Sequence, residues 1–303
     1  MAEHYYYSIA SGSSGNCGLY MADGTAILID LGVSLRRITT ALKALSLTLE
    51  DISAVVLTHE HIDHVKGLPM FLKKAKAPVF ATRGTAEAFE EKNPEYADRL
   101  NIFDSGERFW VRDVDVVPFP TPHDAAESTG YIFEHGGSRF GFATDLGFVP
   151  RDAAELLRGC EMVVLESNHD PHMLQAGPYP YSLKMRVAGP SGHLSNPDCA
   201  VFAADLVKNG TRTLVLAHLS EKNNMPELAR QQTLSALRGL PACEGLVAPK
   251  ESASRRATAW SRRSCSERRG RHAWCPADLR RKARRKILGG RCQGIYQAPR
   301  RIL

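Results

Sequence analysis

The 303 residues suffice for one large domain or two small ones, and with 43% apolar and 24% charged side chains the composition is globular. No apolar run reaches the roughly 18 residues of a membrane span, and the N-terminal MAEHYYYSIASG lacks a basic region followed by an apolar stretch, so neither a membrane partner nor a signal peptide is expected. The net charge of +6 averages two unlike parts: from Glu251 on there are sixteen Lys/Arg against three Asp/Glu, while the first 250 residues hold 23 against 30.

Taken in chain order, short apolar runs rich in β-branched residues predict strands over 26–30, 54–58, 79–81, 114–119, 131–134, 139–144, 162–166 and 213–217. Between them, Ser34 can cap a helix with Leu35, Ile38, Leu42 and Leu45 on one face. Asp63 can open a helix whose stripe of Val65, Leu68 and Leu72 belongs to the core. Asn196 and Pro197 fit the N-cap and first position of a helix ending near Gly210, and a last helix is expected from about Pro226 to Leu237. Gly136 and Gly137 mark a hairpin turn. Strands alternating with helices, with hairpins among them, predict an α/β sandwich of mixed sheets with helices outside. The seven cysteines are scattered and form no CxxC pair, which fits a reducing cytoplasm. Beyond residue 250 the chain is rich in paired arginines and poor in core-forming residues, so disorder is expected there. That tail reads as a solvated extension, as a stretch translated out of frame, or as a nucleic-acid-binding arm.

The segment THEHIDHVKG (58–67) crowds four ligand-type residues into six positions. In extended chain His59 and His61 point to the same side and can share one ion, while Glu60 and Ile62 point away. Asp63 and His64 follow a bend and can serve a second ion. Three more apolar runs end on a ligand-type residue: VVPFPTPH on His123, FGFATD on Asp145 and LVLAH on His218. A group at a strand end is held by a rigid sheet, which gives a metal site its precision. One histidine at a strand end is ordinary; seven ligand-type residues in this pattern point to a metal centre. A zinc finger is excluded because the cluster holds no cysteine, and an HExxH protease by the i,i+2 spacing of His59 and His61. His and Asp ligands suit Zn or Mn, and Fe as well. Two such divalent ions supply Lewis acidity and an activated water for hydrolysis.

Other motifs could handle a phosphate. In SGSSGN (11–16) the backbone N–H groups and polar atoms around Ser11, Ser13, Gly15 and Asn16 could cradle one, or could simply make a tight turn; no Gly-Lys-Ser/Thr follows, so it is no P-loop. In SGHLSNPD, His193 precedes a helix N-terminus with Ser195 and Asn196, where an anion is favoured. His193 could bind a phosphate oxygen, protonate a leaving oxygen, or merely cap the helix. In ESNHD, His169 could orient a ligand or serve the fold alone.

The HxHxDH segment at 59–64, with His123, Asp145 and His218, resembles the metallo-β-lactamase fold superfamily in its dinuclear hydrolase form. The resemblance implies an α/β, αββα four-layer sandwich with two mixed β-sheets. It implies one ion on His59, His61 and His123, a second on Asp63, His64 and His218, and Asp145 bridging them. SIASGSSGNC (8–17), ESNHD (166–170), GPYPYSLKMRV (177–187), SGHLSN (191–196) and LAHLSEKNNMP (216–226) resemble the YycJ/WalJ-type subgroup, bacterial cytoplasmic exonucleases that degrade double-stranded DNA from the 5′ end. The likeness runs from about residue 5 to 250, making 1–250 the hydrolase domain and 251–303 a basic tail that departs from the pattern. It implies phosphodiester hydrolysis with Asp63, Asp145 and His193 as catalytic residues, and with the 11–16 loop, His193, Ser195 and Asn196 on the substrate. RNA, or a small ester, thioester or lactone, is an alternative substrate for the same architecture. A DNA-binding protein acting through its tail is a third reading. Nothing in the chain specifies an oligomeric state.

Overall fold

The computed structural model describes residues 4–250 and the backbone of 259–261. The first sheet contains β1 (His4–Ala10), β2 (Cys17–Ala22), β3 (Thr25–Ile29), β4 (Ala54–Val56), β5 (Val79–Thr82) and β6 (Asn101–Phe103). The second contains β7 (Phe109–Val111), β8 (Val114–Pro120), β9 (Thr129–His135), β10 (Ser138–Ala143), β11 (Met162–Glu166), β12 (Thr213–Ala217) and β13 (Glu244–Val247). A short β14 (Ala259–Ser261) pairs with β1 at the edge of the first sheet. It falls within the predicted tail, the rest of which lies outside the described residues. Apart from β14, each sheet keeps its strands in sequence order and is antiparallel in its first half and parallel in its second, the change falling at β3 in one and β10 in the other.

The helices are α1 (Leu35–Ala44), α2 (Ile62–Val65), α3 (Leu68–Lys74), α4 (Arg83–Lys92), α5 (Arg151–Leu157), α6 (Pro171–Ala176), α7 (Tyr181–Val187), α8 (Asn196–Lys208) and α9 (Pro226–Ala236). Strands buried on both faces read as continuous apolar runs, and β3 shows why. Its Ile27 and Ile29 meet Tyr131, Phe133 and Val164 of the other sheet, while Leu28 between them faces Ile38, Leu42 and Phe71 of the helices. On the far side, Val163 and Leu165 of β11 pack with Leu157, Cys199, Phe202 and Leu206. The layers run helix, sheet, sheet, helix, and the expected αββα sandwich with two mixed sheets is what forms.

Two local readings change. The helix expected to open at Asp63 is split at Lys66 and Gly67, between α2 and α3. Gly67 donates to the Leu31 carbonyl at 2.7 Å, and a Cβ there would lie 2.1 Å from the Val33 carbonyl oxygen, so the break lets the β3–α1 connection pass. The cap of α8 is Ser195, whose hydroxyl accepts from the Asp198 N–H at 3.3 Å; Asn196 is the first helical residue.

The sheets are tied together where β4 ends. The Tyr131 hydroxyl donates to the Leu57 carbonyl, and the Thr129 N–H donates to the Thr58 carbonyl at 3.0 Å. Nearby three segments knit: Gly32 donates to the Asn16 carbonyl at 2.8 Å, and Asn16 to the Asp63 carbonyl at 2.7 Å. A Cβ on Gly32 would lie 1.6 Å from the Asp63 carbonyl oxygen, a backbone atom that cannot swing aside. Gly32→Ala is therefore expected to cost about 3 kcal/mol or more by overpacking, a fall of roughly 6–12 °C in Tm. Scanning calorimetry checks it; an unchanged Tm would mean the crossing has slack.

Candidate metal centre

The HxHxDH segment leaves β4 at the point where the two sheets are joined. Asp30, just after β3, organises its first residue: the Thr58 N–H donates to Oδ1 at 2.8 Å and the Thr58 hydroxyl to Oδ2 at 2.9 Å. The Thr58 oxygen is then free to accept from His59 Nδ1 at 3.0 Å. His64 Nδ1 donates to Asp30 Oδ2 at 2.8 Å, His123 Nδ1 to the Gly192 carbonyl at 3.1 Å, and His218 Nδ1 to Glu166 Oε1 at 2.7 Å. Each bond fixes a tautomer with the lone pair on Nε2, the state a metal ligand needs.

All seven sequence-predicted ligands come together. His59, His61 and His123 each bring a ligand-type atom within 4.8 Å of the others, and so do Asp63, His64 and His218. Asp145 stands between the groups: Oδ2 lies 3.6 Å from His64 Nε2, while Oδ1 lies 4.0 Å from His123 Nε2 and 3.2 Å from His218 Nδ1. His59 Nε2, Asp145 Oδ2 and His218 Nε2 are buried without a hydrogen-bond partner. Buried polar atoms are nearly always paired, so three orphans within one cluster of ligand-type atoms fit a cation. The residues present suit divalent ions.

Electrostatics say the same. Burial, then the neighbouring rings of His64 and His123, hold His59 well below the usual imidazole range, so it is a neutral donor. Burial also opposes charge on His64, but Asp145 and Asp30 outweigh it and push its pKa up to about 9. At His218 burial is likewise overcome, by Asp145, Asp63 and Glu166. The carboxylates thus call for positive charge at the very rings that would bind ions.

The centre opens into a cleft of about 220 Å³ whose lining includes Ser13, Asp124, Leu183, Arg186 and His193 beside the ligands. His193 donates from Nδ1 to Glu166 Oε1 at 2.9 Å. Side chains of the 11–16 loop bond to the ligand-type residues themselves. The Ser11 hydroxyl accepts from the His218 N–H at 2.8 Å, and Asn16 donates from Nδ2 to Asp63 Oδ2 at 3.3 Å and to His64 Nε2 at 3.0 Å. Gly15, at φ +154°, packs against Gly32, where a Cβ would meet the carbonyl oxygen at 2.6 Å. Of the four, only Ser13 reaches the cleft. Ser195 and Asn196 do not line it: Ser195 is the cap, and Asn196 is buried in a reciprocal amide pair with Asn224 at 2.9 Å. His169 stands outside the ligand groups.

Sequence reasoning missed Asp30 and Glu166. Both end apolar strands, ILID and MVVLE, the same signal that exposed the ligands. Glu166 accepts four bonds, from His193 and His218 on Oε1 and from the N–H groups of Leu146 and Leu194 on Oε2. Its two imidazole partners offset burial and keep the carboxyl well below its ordinary range.

Residues 25–219 match the beta-lactamase superfamily domain, and the chain belongs to that superfamily in its metallo-β-lactamase-fold form. The exodeoxyribonuclease YycJ of Bacillus anthracis is 36% identical over 234 residues, covering 77% of this chain and 89% of that protein. The exodeoxyribonuclease WalJ of Streptococcus pneumoniae serotype 2 is 33% identical over 237 residues, covering 77% and 87%. Within the superfamily the chain falls in this YycJ/WalJ-type group. The fold protein YhfI of Bacillus subtilis superposes with a TM-score of 0.65 at 14% identity, over 86% of this chain and 100% of that one, a likeness of fold alone.

Glu166→Gln keeps the shape and removes the charge that orients His218 and His193. Metal affinity should fall about 10–100-fold. Titration calorimetry with Mn²⁺ or Zn²⁺ reads this directly, and an unchanged affinity would reduce Glu166 to a helper of the fold.

Proposed function

We propose that this protein is a metal-dependent exodeoxyribonuclease that hydrolyses the phosphodiesters of double-stranded DNA from the 5′ end. The observation that carries this reading is the carboxylate of Asp145, with Oδ2 toward His64 and Oδ1 toward His123. An arrangement of that kind suits two adjacent ions, and adjacent ions suit in-line displacement at phosphorus. The likeness to YycJ and WalJ supports DNA as the polymer.

His59, His61 and His123 would hold one ion and Asp63, His64 and His218 the other, with Asp145 shared. When bound, two divalent ions, Zn or Mn, supply Lewis acidity and an activated water near neutral pH. Fe is also compatible with these ligands. Around them the chain positions and shields. Asp30, Glu166 and the Gly192 carbonyl hold the imidazoles in one orientation. Asn16 donates to Asp63 Oδ2 and to His64 Nε2, the latter a bond that an ion on that nitrogen would replace. His193, tethered through Nδ1, presents its other nitrogen as the edge that can bind a phosphate oxygen or hold a proton for the leaving 3′-oxygen. In this reading Ser13, at the cleft wall, meets phosphate. We assign the protein to the cytoplasm, a reading supported by the free thiols of Cys17, Cys160, Cys199 and Cys243. None of the helices in the described residues is long and apolar enough to cross a membrane.

The test is cleavage of a 5′-labelled duplex with added Mn²⁺, run beside RNA and small-ester substrates. Wild type should release short labelled products, and chelation should abolish them. Asp63→Asn and Asp145→Asn should each lower the rate about a hundredfold or more with an unchanged circular dichroism spectrum. Near-native cutting by either variant would overturn the two-metal assignment. Metal-loaded protein that spares DNA but cuts RNA or an ester would move the substrate instead. Truncation after Ser261, which keeps β14, should leave cleavage intact; its loss would favour action through the tail.

A further inference from the structure

The cleft poses an electrostatic problem for the substrate just proposed. Asp63, Asp124 and Asp145 all line it, and the first 250 residues carry more acidic than basic side chains. Two bound ions would answer the charge of the phosphate being cut. A DNA strand carries further phosphates on either side, and these meet carboxylates. Among the lining residues only one side chain is permanently cationic, Arg186.

Arg186 sits on α7, a helix with no buried residue. Leu183, Arg186 and Val187 of this helix line the cleft. Their i, i+3, i+4 spacing is that of one helix face. The Arg186 Nε donates to Asp124 Oδ2, a bond that uses one edge of the guanidinium and leaves the terminal nitrogens of the fork for a ligand. Asp124 in turn places its Oδ1 3.5 Å from His123 Nε2. The order from the centre outward is therefore His123, Asp124, Arg186. A guanidinium in that place stands one side chain beyond the hydrolytic centre, and planar forks of this kind suit phosphate oxygens.

We propose that Arg186, steered by Asp124, grips the backbone phosphate adjoining the bond being cut. It rests on the nuclease reading and deepens it. The strand is recognised at the rim by its charge, and a polymer with a flanking phosphate is favoured over an isolated diester. Arg186 is a positioning residue, because it acts on a phosphate that does not react.

The experiment is steady-state cleavage of labelled duplex at several KCl concentrations by wild type, Arg186→Gln and Arg186→Lys, with bound metal measured on each preparation. Loss of one charge-assisted contact should raise KM about tenfold or more in Arg186→Gln, with a much smaller change in kcat. The log–log salt dependence of kcat/KM should flatten by about one phosphate contact. Arg186→Lys keeps the charge and should restore the salt slope, but only part of KM, because it lacks the fork. Unchanged KM and salt slope in Arg186→Gln would overturn the proposal. So would a loss of bound metal and kcat at constant KM, which would make Arg186 a prop for Asp124 and His123. Wild type that cuts no nucleic acid would sink the nuclease reading itself, and this inference with it. That failure is distinct from wild type cutting DNA and the variant matching it.

Discussion

Three carboxylates, Asp30, Asp145 and Glu166, lie at 1%, 1% and 0% exposure beside the equally buried His59 and His64. Bringing that much potential charge out of water is costly unless each group finds a partner of opposite sign or a hydrogen bond. The surroundings are arranged to meet that demand. Asp30 takes the Thr58 and His64 donors, and Glu166 takes two imidazoles and two backbone N–H groups. Within the cluster of ligand-type atoms, His59 Nε2, Asp145 Oδ2 and His218 Nε2 stay unmet. The sheets, the loop at 11–16 and the break before α3 all serve to hold that one unsatisfied point in place.

The backbone shows how the strands deliver these groups. Asp30, Asp145 and His218 follow β3, β10 and β12 with φ of 59°, 60° and 55°, the left-handed region. A non-glycine residue there costs on the order of 1–3 kcal/mol and persists only when its surroundings demand it. Asp and His are among the side chains that tolerate it best. Three of the seven non-glycine residues with positive φ among the described residues thus stand at strand ends beside the candidate centre, turning the chain sharply where the sheet stops.

The parts legible in the sequence were those where one physical requirement acts alone. Strands such as MVVLE and TLVLA are buried on both faces, so their apolar runs stand out. Ligand chemistry admits few residue types, so the residues that converge, HxHxDH with the strand-end His123, Asp145 and His218, stood out as a group. β1, HYYYSIA, escaped notice because its aromatic and polar residues mask the pattern; β6, β7 and β13 are partly exposed, so they lack the continuous apolar run of buried strands. Asp30 and Glu166 carried the same strand-end signal as the ligands, but a carboxylate that supports a histidine has no spacing rule to mark it. The pairing of Arg186 with Asp124 joins residues 62 positions apart and leaves no local trace. Ser195 and Asn196 are both good caps, and burial of the Asn196 amide against Asn224 decided between them.

Neither sheet alone would hold an ion. His59 and His61 leave the first sheet and His123 the second; Asp63 and His64 belong to the first and His218 to the second. Between the two sheets, interdigitated apolar side chains and the Tyr131–Leu57 and Thr129–Thr58 bonds already resist displacement. Ions held across the interface at these positions would act as rivets against shear. The arrangement proposed for hydrolysis would then also stiffen the joint between the sheets.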